Sequence, residues 1–273
     1  MQKISPEAFF EIFLKELAEN KNLQYYYRFL EDPKRFEFRK SYFLKRLNFI
    51  YNQIDKPNSL IWDCGCGFAT TAFFLTLNGH KVIGSTIEHY FDEIQKRILF
   101  YKQYGDLSKL EIKYEDVFEH HSNNLKYDFI VIQDTLHHLE PLNVALDLVK
   151  SLLAQNGKAI VVEVNGSNWF EQLKYFKLRG FKKVIKMYDE HLKKEIMFGN
   201  ENIRTYSQWN KAFNVSGLKI EPETTEYVRF YYPYYYKNKT IETVQQQEDK
   251  LWRQNSFYKK YFFFGLNFTA SIK

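Results

Sequence analysis

Ile61-Trp62-Asp63-Cys64-Gly65-Cys66-Gly67-Phe68-Ala69-Thr70 closes an apolar run that begins at Leu60 and passes through an acid into two glycines one residue apart. An apolar run stopped by glycines reads as a buried strand, a tight turn and the opening of a helix. Glycine at both positions lets the backbone approach a ligand closely. The helix that follows offers N–H groups with no partner inside the helix.

Outward from this stretch, strands and helices alternate. Thr70–Leu77 is small and apolar and reads as a helix, which Gly79 ends. Lys81-Val82-Ile83-Gly84 is a short second strand. Leu110–Tyr114 alternates apolar and polar, a third strand with Glu115-Asp116 at its end. Tyr127–Ile132 is a fourth, followed by Gln133-Asp134-Thr135-Leu136-His137-His138-Leu139-Glu140-Pro141. Leu152-Leu153 ends a helix, Asn156-Gly157 turns, and Lys158–Glu163 makes a fifth strand. Five strands alternating with helices predict an α/β protein with a parallel, doubly wound sheet. A ligand then sits at the carboxyl ends of the strands, where Asp63, Glu88, Asp116, Gln133 and Glu163 all fall.

The pattern Asp63-x-Gly65-x-Gly67 resembles motif I of the class I S-adenosylmethionine (SAM) methyltransferases. The Tyr127-Asp128 strand and the Leu136-His137-His138-Leu139 loop before Pro141 resemble the fourth-strand segment of small-molecule members. The resemblance runs over residues 58–165. A nicotinamide-binding turn instead wants G-x-G-x-x-G, and the third position here is Thr70.

The resemblance implies a seven-stranded, mostly parallel sheet whose last, antiparallel strand inserts beside the fifth. It implies SAM as methyl donor and S-adenosylhomocysteine as product. The turn Asp63, Gly65, Cys66 and Gly67 would pass under the methionine part. An acid after the second strand would bind the ribose; the usual position is Thr86 and the first acid is Glu88. A carboxylate accepts from both hydroxyls, so Glu88 is the expected partner. Asp116 would accept from the adenine amino group, with Val117 beside the ring and Gln133 at the end of the fourth strand.

For the chemistry, the resemblance points to His138, or its neighbour His137, as a base beside the methyl group, with Asp134 orienting it. Histidine suits proton removal near neutral pH. The [N/D]-P-P-[Y/F] signature of many amino-directed enzymes is replaced by Gln133-Asp134-Thr135-Leu136. The expected reaction is methylation of an oxygen or carbon of a small, aromatic or lipid-like acceptor, free or carrier-bound. The alternatives are a non-catalytic SAM- or nucleotide-binding scaffold and an RNA methyltransferase.

Residues 1–56 read as an N-terminal helical lid, with Phe9, Phe10, Phe13, Leu14 and Leu17 at helical spacing. Residues 57–273 then form the SAM-binding domain, with cap insertions at about 166–204 and 223–258, after the fifth and sixth strands. A helix from Thr205 to Gly217, a sixth strand Leu218–Glu221 closed by Pro222, and a last strand Tyr261–Ala270 complete it. The insertions hold Trp169–Phe176 and the aromatic block Tyr227–Tyr236. They are expected to roof the acceptor, with Trp169, Arg204, Arg229, Tyr231 and Tyr235 touching it.

Composition narrows the classes. The 39 Lys and Arg exceed the 33 Asp and Glu, for a net +6, but both signs are interspersed and no run of five basic residues occurs. That argues against a nucleic-acid partner and leaves a mild attraction for acidic substrates. Cys64 and Cys66 supply too few ligands for a metal, and neighbouring side chains such as His137 and His138 usually diverge, so no metal is expected. No apolar run approaches the ~20 residues of a membrane-spanning helix. With no secretory leader pattern, the expectation is a cytoplasmic protein.

Overall fold

The computed structural model describes residues 3–87, 90–121 and 125–273. Three helices lead, α1 (Pro6–Glu19), α2 (Lys21–Tyr27) and α3 (Phe36–Gln53). Ser5 and Asn20 cap the first two by accepting from backbone N–H groups. The alternating half follows: β1 (Leu60–Cys64), α4 (Thr70–Leu77), β2 (Lys81–Thr86), α5 (Tyr90–Tyr101), β3 (Leu110–Tyr114), β4 (Tyr127–Gln133), α6 (Leu142–Leu152) and β5 (Leu153–Val164). Then come α7 (Trp169–Arg179), β6 (Val184–Asp189), β7 (Lys194–Gly199), α8 (Tyr206–Val215), β8 (Leu218–Val228), α9 (Ile241–Gln254), α10 (Ser256–Tyr261) and β9 (Gly265–Ile272).

Seven strands form one sheet in the order β3-β2-β1-β4-β5-β9-β8. The first five are mutually parallel; β9 runs antiparallel between β5 and β8. The central strands read as continuous apolar runs because both faces are covered. Trp62, Ile130, Ile132 and Val161 point to one side, against Leu146, Trp209 and Phe213. Ile61, Val131, Ile160 and Val162 point to the other, against Phe73, Phe74 and Phe9. All eight residues of α4 are buried, since it lies between the sheet and the N-terminal helices. Each fully buried side chain of this size contributes roughly 1.5–3 kcal/mol. The aromatic wealth of the N-terminus goes into a third cluster, Phe10, Phe13, Leu17, Leu23, Phe29, Leu44 and Phe68.

Four expectations need correction. Residues 166–204 hold a two-stranded hairpin, β6 with β7, in addition to the helix α7. Its turn at Glu190–Lys193 carries no Gly, Pro or Asn, so the usual punctuation is missing. Pro222 does not close the sixth core strand: β8 continues to Val228, shifting register between Glu221 and Glu226. It is an edge strand, where a missing N–H is tolerated. Asn156-Gly157 lies within β5 at an irregularity of the pairing with β4 rather than in a separate turn. The last strand begins at Gly265, because Tyr261 still belongs to α10. Among the described residues, no helix is long and apolar enough to cross a membrane.

Candidate active site

A cavity of about 720 Å³ opens at the carboxyl ends of the parallel strands. That is the size of an ordinary small-molecule site. Asp63, Gly65, Cys66, Gly67, Thr86, Asp116, Val117 and Gln133 all line it. Glu88 lies outside the described residues.

The turn after β1 explains its own glycines. Gly65 has φ 74° and a Cβ there would sit 2.3 Å from the Thr135 methyl carbon. Gly67 has φ 52° with nothing within 4 Å of a Cβ position, so only its backbone angle asks for glycine. Ahead of the turn, Asp63 is 2 % exposed. Burial, offset in part by the Ala72 backbone hydrogen bond, pushes its carboxyl up to about 7. Its Oδ2 is buried without a hydrogen-bond partner. A buried orphan oxygen needs a donor, and it stands on the wall of the cavity. The amino group of SAM's methionine part is a donor of the right charge, so this cradle fits the cofactor.

The adenosine side is more occupied than its sequence suggests. Asp116 accepts from the Phe118 N–H and pairs with Lys194 of β7 at 2.8 Å. Its neighbour Glu115, which the sequence did not single out, also lines the cavity. Ser85 Oγ donates to Glu115 at 2.5 Å, and His120 bonds the same oxygen. Burial works against its ionisation, but those two bonds outweigh it and hold the carboxyl below its ordinary value. Glu115 thus brings a carboxylate to the end of β2 from the adjacent strand.

After β4, a 3-10 turn at Leu136–His138 follows Asp134, whose φ is 51°. The two histidines converge rather than diverge: their ring centroids lie 4.1 Å apart. Only His138 lines the cavity. Its Nδ1 is 2.9 Å from the Gly199 carbonyl oxygen. A carbonyl only accepts, so Nδ1 carries the proton and Nε2 keeps a lone pair. His137 is buried behind it, with Nδ1 2.6 Å from Glu163 and Nε2 3.5 Å from Glu201. Burial disfavours the imidazolium, but Glu163 by charge and hydrogen bond, helped by Glu201, pushes His137 up to about 10. Ligand-type atoms of His137, His138 and Glu201 lie within 4.8 Å of one another. A protonated His137 offsets one of its two carboxylate neighbours, the buried Glu163, and leaves Glu201 as a more exposed second partner at 3.5 Å.

This ion pair has a pH signature. The folded value of His137 lies above the ordinary ~6.5, so its stabilisation is complete below about pH 6.5 and fades as pH rises through about 10. Wild-type protein should therefore lose melting temperature between pH 7 and 10 faster than His137→Gln does. Parallel curves would mean that His137 is neutral.

Several expected contacts are absent. Asp134 does not orient His138; it pairs with Arg46 of α3. Trp169, Arg204, Tyr231 and Tyr235 do not line the cavity. Trp169 is 66 % exposed beside Tyr261. Arg204 pairs with Glu140. Tyr231 stacks on Tyr235 at 3.8 Å, under Lys239. Tyr231 and Tyr235 thus pack on each other, away from the cavity. The cavity walls come from elsewhere: Tyr26, Tyr27, Phe38 and Tyr42 of the N-terminal segment, and Met187 and Phe198 of the hairpin. Of the expected acceptor residues, Arg229 alone lines it.

Residues 62–159 match the family model described as a methyltransferase domain. No curated protein matches the chain significantly. Among solved structures, magnesium protoporphyrin IX methyltransferase from Synechocystis PCC 6803, with bound S-adenosylhomocysteine, is 14% identical with a TM-score of 0.57. The match covers 96% of this chain and 100% of that one. The YcgJ protein from Bacillus subtilis gives 12% identity and a TM-score of 0.57, over 84% of this chain and 98% of that one. The 1,6-didemethyltoxoflavin-N1-methyltransferase of Burkholderia thailandensis gives 12% and 0.51, over 100% and 92%. At such identities the likeness is one of fold. The matched domain spans the glycine turn, the His loop and the first half of β5, so residues 62–159 match a methyltransferase domain, and the strand order above is that of the class I S-adenosylmethionine-dependent methyltransferase fold.

Proposed function

We propose that the enzyme methylates an oxygen or carbon nucleophile of a small, largely apolar acceptor. One observation carries this reading: a single cavity joins the orphaned Asp63 carboxyl to His138, whose Nε2 is free to accept a proton. SAM supplies an electrophilic methyl on a sulfonium that leaves as a neutral thioether. The chain's own task is to hold the nucleophile in line at about 3–3.5 Å and to take its proton. Asp63 anchors the amino group, while Thr86 and Glu115 stand at the end of β2 for the ribose. Asp116, Val117 and Gln133 frame the base. His138 Nε2 receives the acceptor's proton, and His137 positions that turn through Glu163. The helices within residues 1–56 act as the lid, and the β6–β7 hairpin closes the opposite side.

Titration calorimetry tests the cofactor half. S-adenosylhomocysteine should bind the wild type, and Asp63→Ala should weaken binding by roughly 10–100-fold, the worth of one charge-assisted hydrogen bond. Wild-type protein that binds neither SAM nor its product would remove the proposal. Labelled methyl transfer into a panel of hydroxylated and activated-carbon acceptors tests the other half.

A further inference from the structure

We infer that the acceptor carries an anionic group, a carboxylate or a phosphate, which Arg229 binds; this rests on the methyltransferase reading of the same cavity. Arg229 follows directly on β8 with φ 61°, a backbone conformation uncommon outside glycine and concentrated at functional positions. The extension of β8 past Pro222 is what carries it to the cavity wall.

Its surroundings hold a cation without neutralising it. The guanidinium stacks on Tyr42 at 4.4 Å, Phe264 at 4.8 Å and Phe38 at 5.3 Å. These rings fix its place and favour its charge, but none supplies an in-plane acceptor for its five N–H groups. Its Nε is buried without a hydrogen-bond partner. Three other arginines differ, each closing on a carboxylate. Arg97 closes on Glu16, Arg46 on Asp134 and Arg204 on Glu140. Among the described residues no carboxylate pairs with Arg229.

Apart from Asp63 at the glycine turn, whose Oδ2 has no partner among the described residues, the acids that line the cavity each face a basic group. Asp134 has Arg46, Asp116 has Lys194, Glu115 has His120 and Glu201 has His137. Arg39 adds a second cation to the same wall; among the described residues it donates only to the Arg28 backbone carbonyl. The excess positive charge therefore lies at the N-terminal side of the cavity, amid aromatic rings. A planar guanidinium fork binds carboxylate or phosphate through two parallel hydrogen bonds. An acceptor with an apolar or aromatic body and one such group meets both the rings and the charge.

The test is calorimetry on the full chain saturated with S-adenosylhomocysteine, using benzoate, phenyl phosphate and neutral benzamide as probes. At least one of the two anions should bind tenfold or more tightly than benzamide, and whichever binds better names the anion. Arg229→Gln should erase that preference and Arg229→Lys should keep part of it. Both should bind S-adenosylhomocysteine like the wild type, which shows that the fold and cofactor site are intact. Benzamide binding as well as the anions, no probe binding, or a preference that survives Arg229→Gln would each overturn the inference. The wild-type comparison stands even if a variant fails to fold. Wild-type protein that takes no S-adenosylhomocysteine would instead count against the underlying methyltransferase site.

Discussion

His138→Ala should bind S-adenosylhomocysteine as the wild type does and lose about 10²–10⁴-fold in turnover, the usual worth of a positioned base. The separation of effects follows from geometry. The imidazole stands on the turn after β4, the strand paired with β1, and its Nδ1 is committed to the Gly199 carbonyl. Its loss removes a proton acceptor and leaves the Asp63 side of the cavity untouched. kcat and product affinity, measured separately, check this. A variant with full turnover would mean that the nucleophile needs no histidine and that positioning alone carries the rate. If His137→Ala loses turnover while His138→Ala keeps it, the roles of the neighbours are reversed. His137→Ala must be read beside its melting temperature, because it also strands the buried Glu163 carboxylate.

The largest stability effect is expected at Glu16→Ala. Glu16 and Arg97 are both buried, and two hydrogen bonds of 2.7 and 2.8 Å join them in a fork. Truncating one partner of a buried pair leaves an uncompensated charge and costs about 3–5 kcal/mol. The consequence reaches the cofactor side. The same guanidinium donates to the Phe68 carbonyl and to Thr70 Oγ1, at the start of α4, and Tyr27 bonds that hydroxyl at 2.7 Å. One arginine thus ties α1, α2 and α5 to the chain just beyond the glycine turn. Glu16→Ala should melt earlier and also bind S-adenosylhomocysteine less tightly. The double variant Glu16→Met with Arg97→Met should recover most of the stability, since an apolar pair carries no desolvation cost. A Glu16→Ala protein as stable as the wild type would show that the pair contributes nothing net.

The core of the molecule was legible from residues alone. The glycine turn, the eight-residue helix after it, and the five parallel strands announce themselves because each is decided locally. An apolar run must be covered on both faces, glycine permits the positive φ, and Gly79 ends the helix with φ 92°. The capping box at Thr205, with Gln208 returning the bond, is equally local. So are the cavity-lining positions Asp63, Gly65, Gly67, Thr86 and Gln133, which lie at strand ends or in the turn itself.

What lines the rest of the cavity was not legible. Arg46 meets Asp134 across 88 positions of sequence, His138 meets Gly199 across 61, and no local spacing encodes either contact. Aromatic density in Tyr231–Tyr236 suggested a pocket wall, yet Tyr231 stacks on Tyr235, and Tyr232 meets Phe264 and Tyr236 meets Phe38 edge to face, while the N-terminal Phe38 and Tyr42 reach the cavity. A run of rings declares that apolar surface must be buried; it does not declare against what. The β6–β7 hairpin escaped for the same reason, since its outward side chains blur the alternation and its turn lacks the usual breakers. Residue type and period therefore determined the sheet and the cofactor turn. Charge balance across the cavity was decided only by the tertiary structure: which acids are paired, and that Arg229 meets no carboxylate among the described residues. Pairing depends on where distant backbones bring their side chains, and a linear pattern does not hold that information.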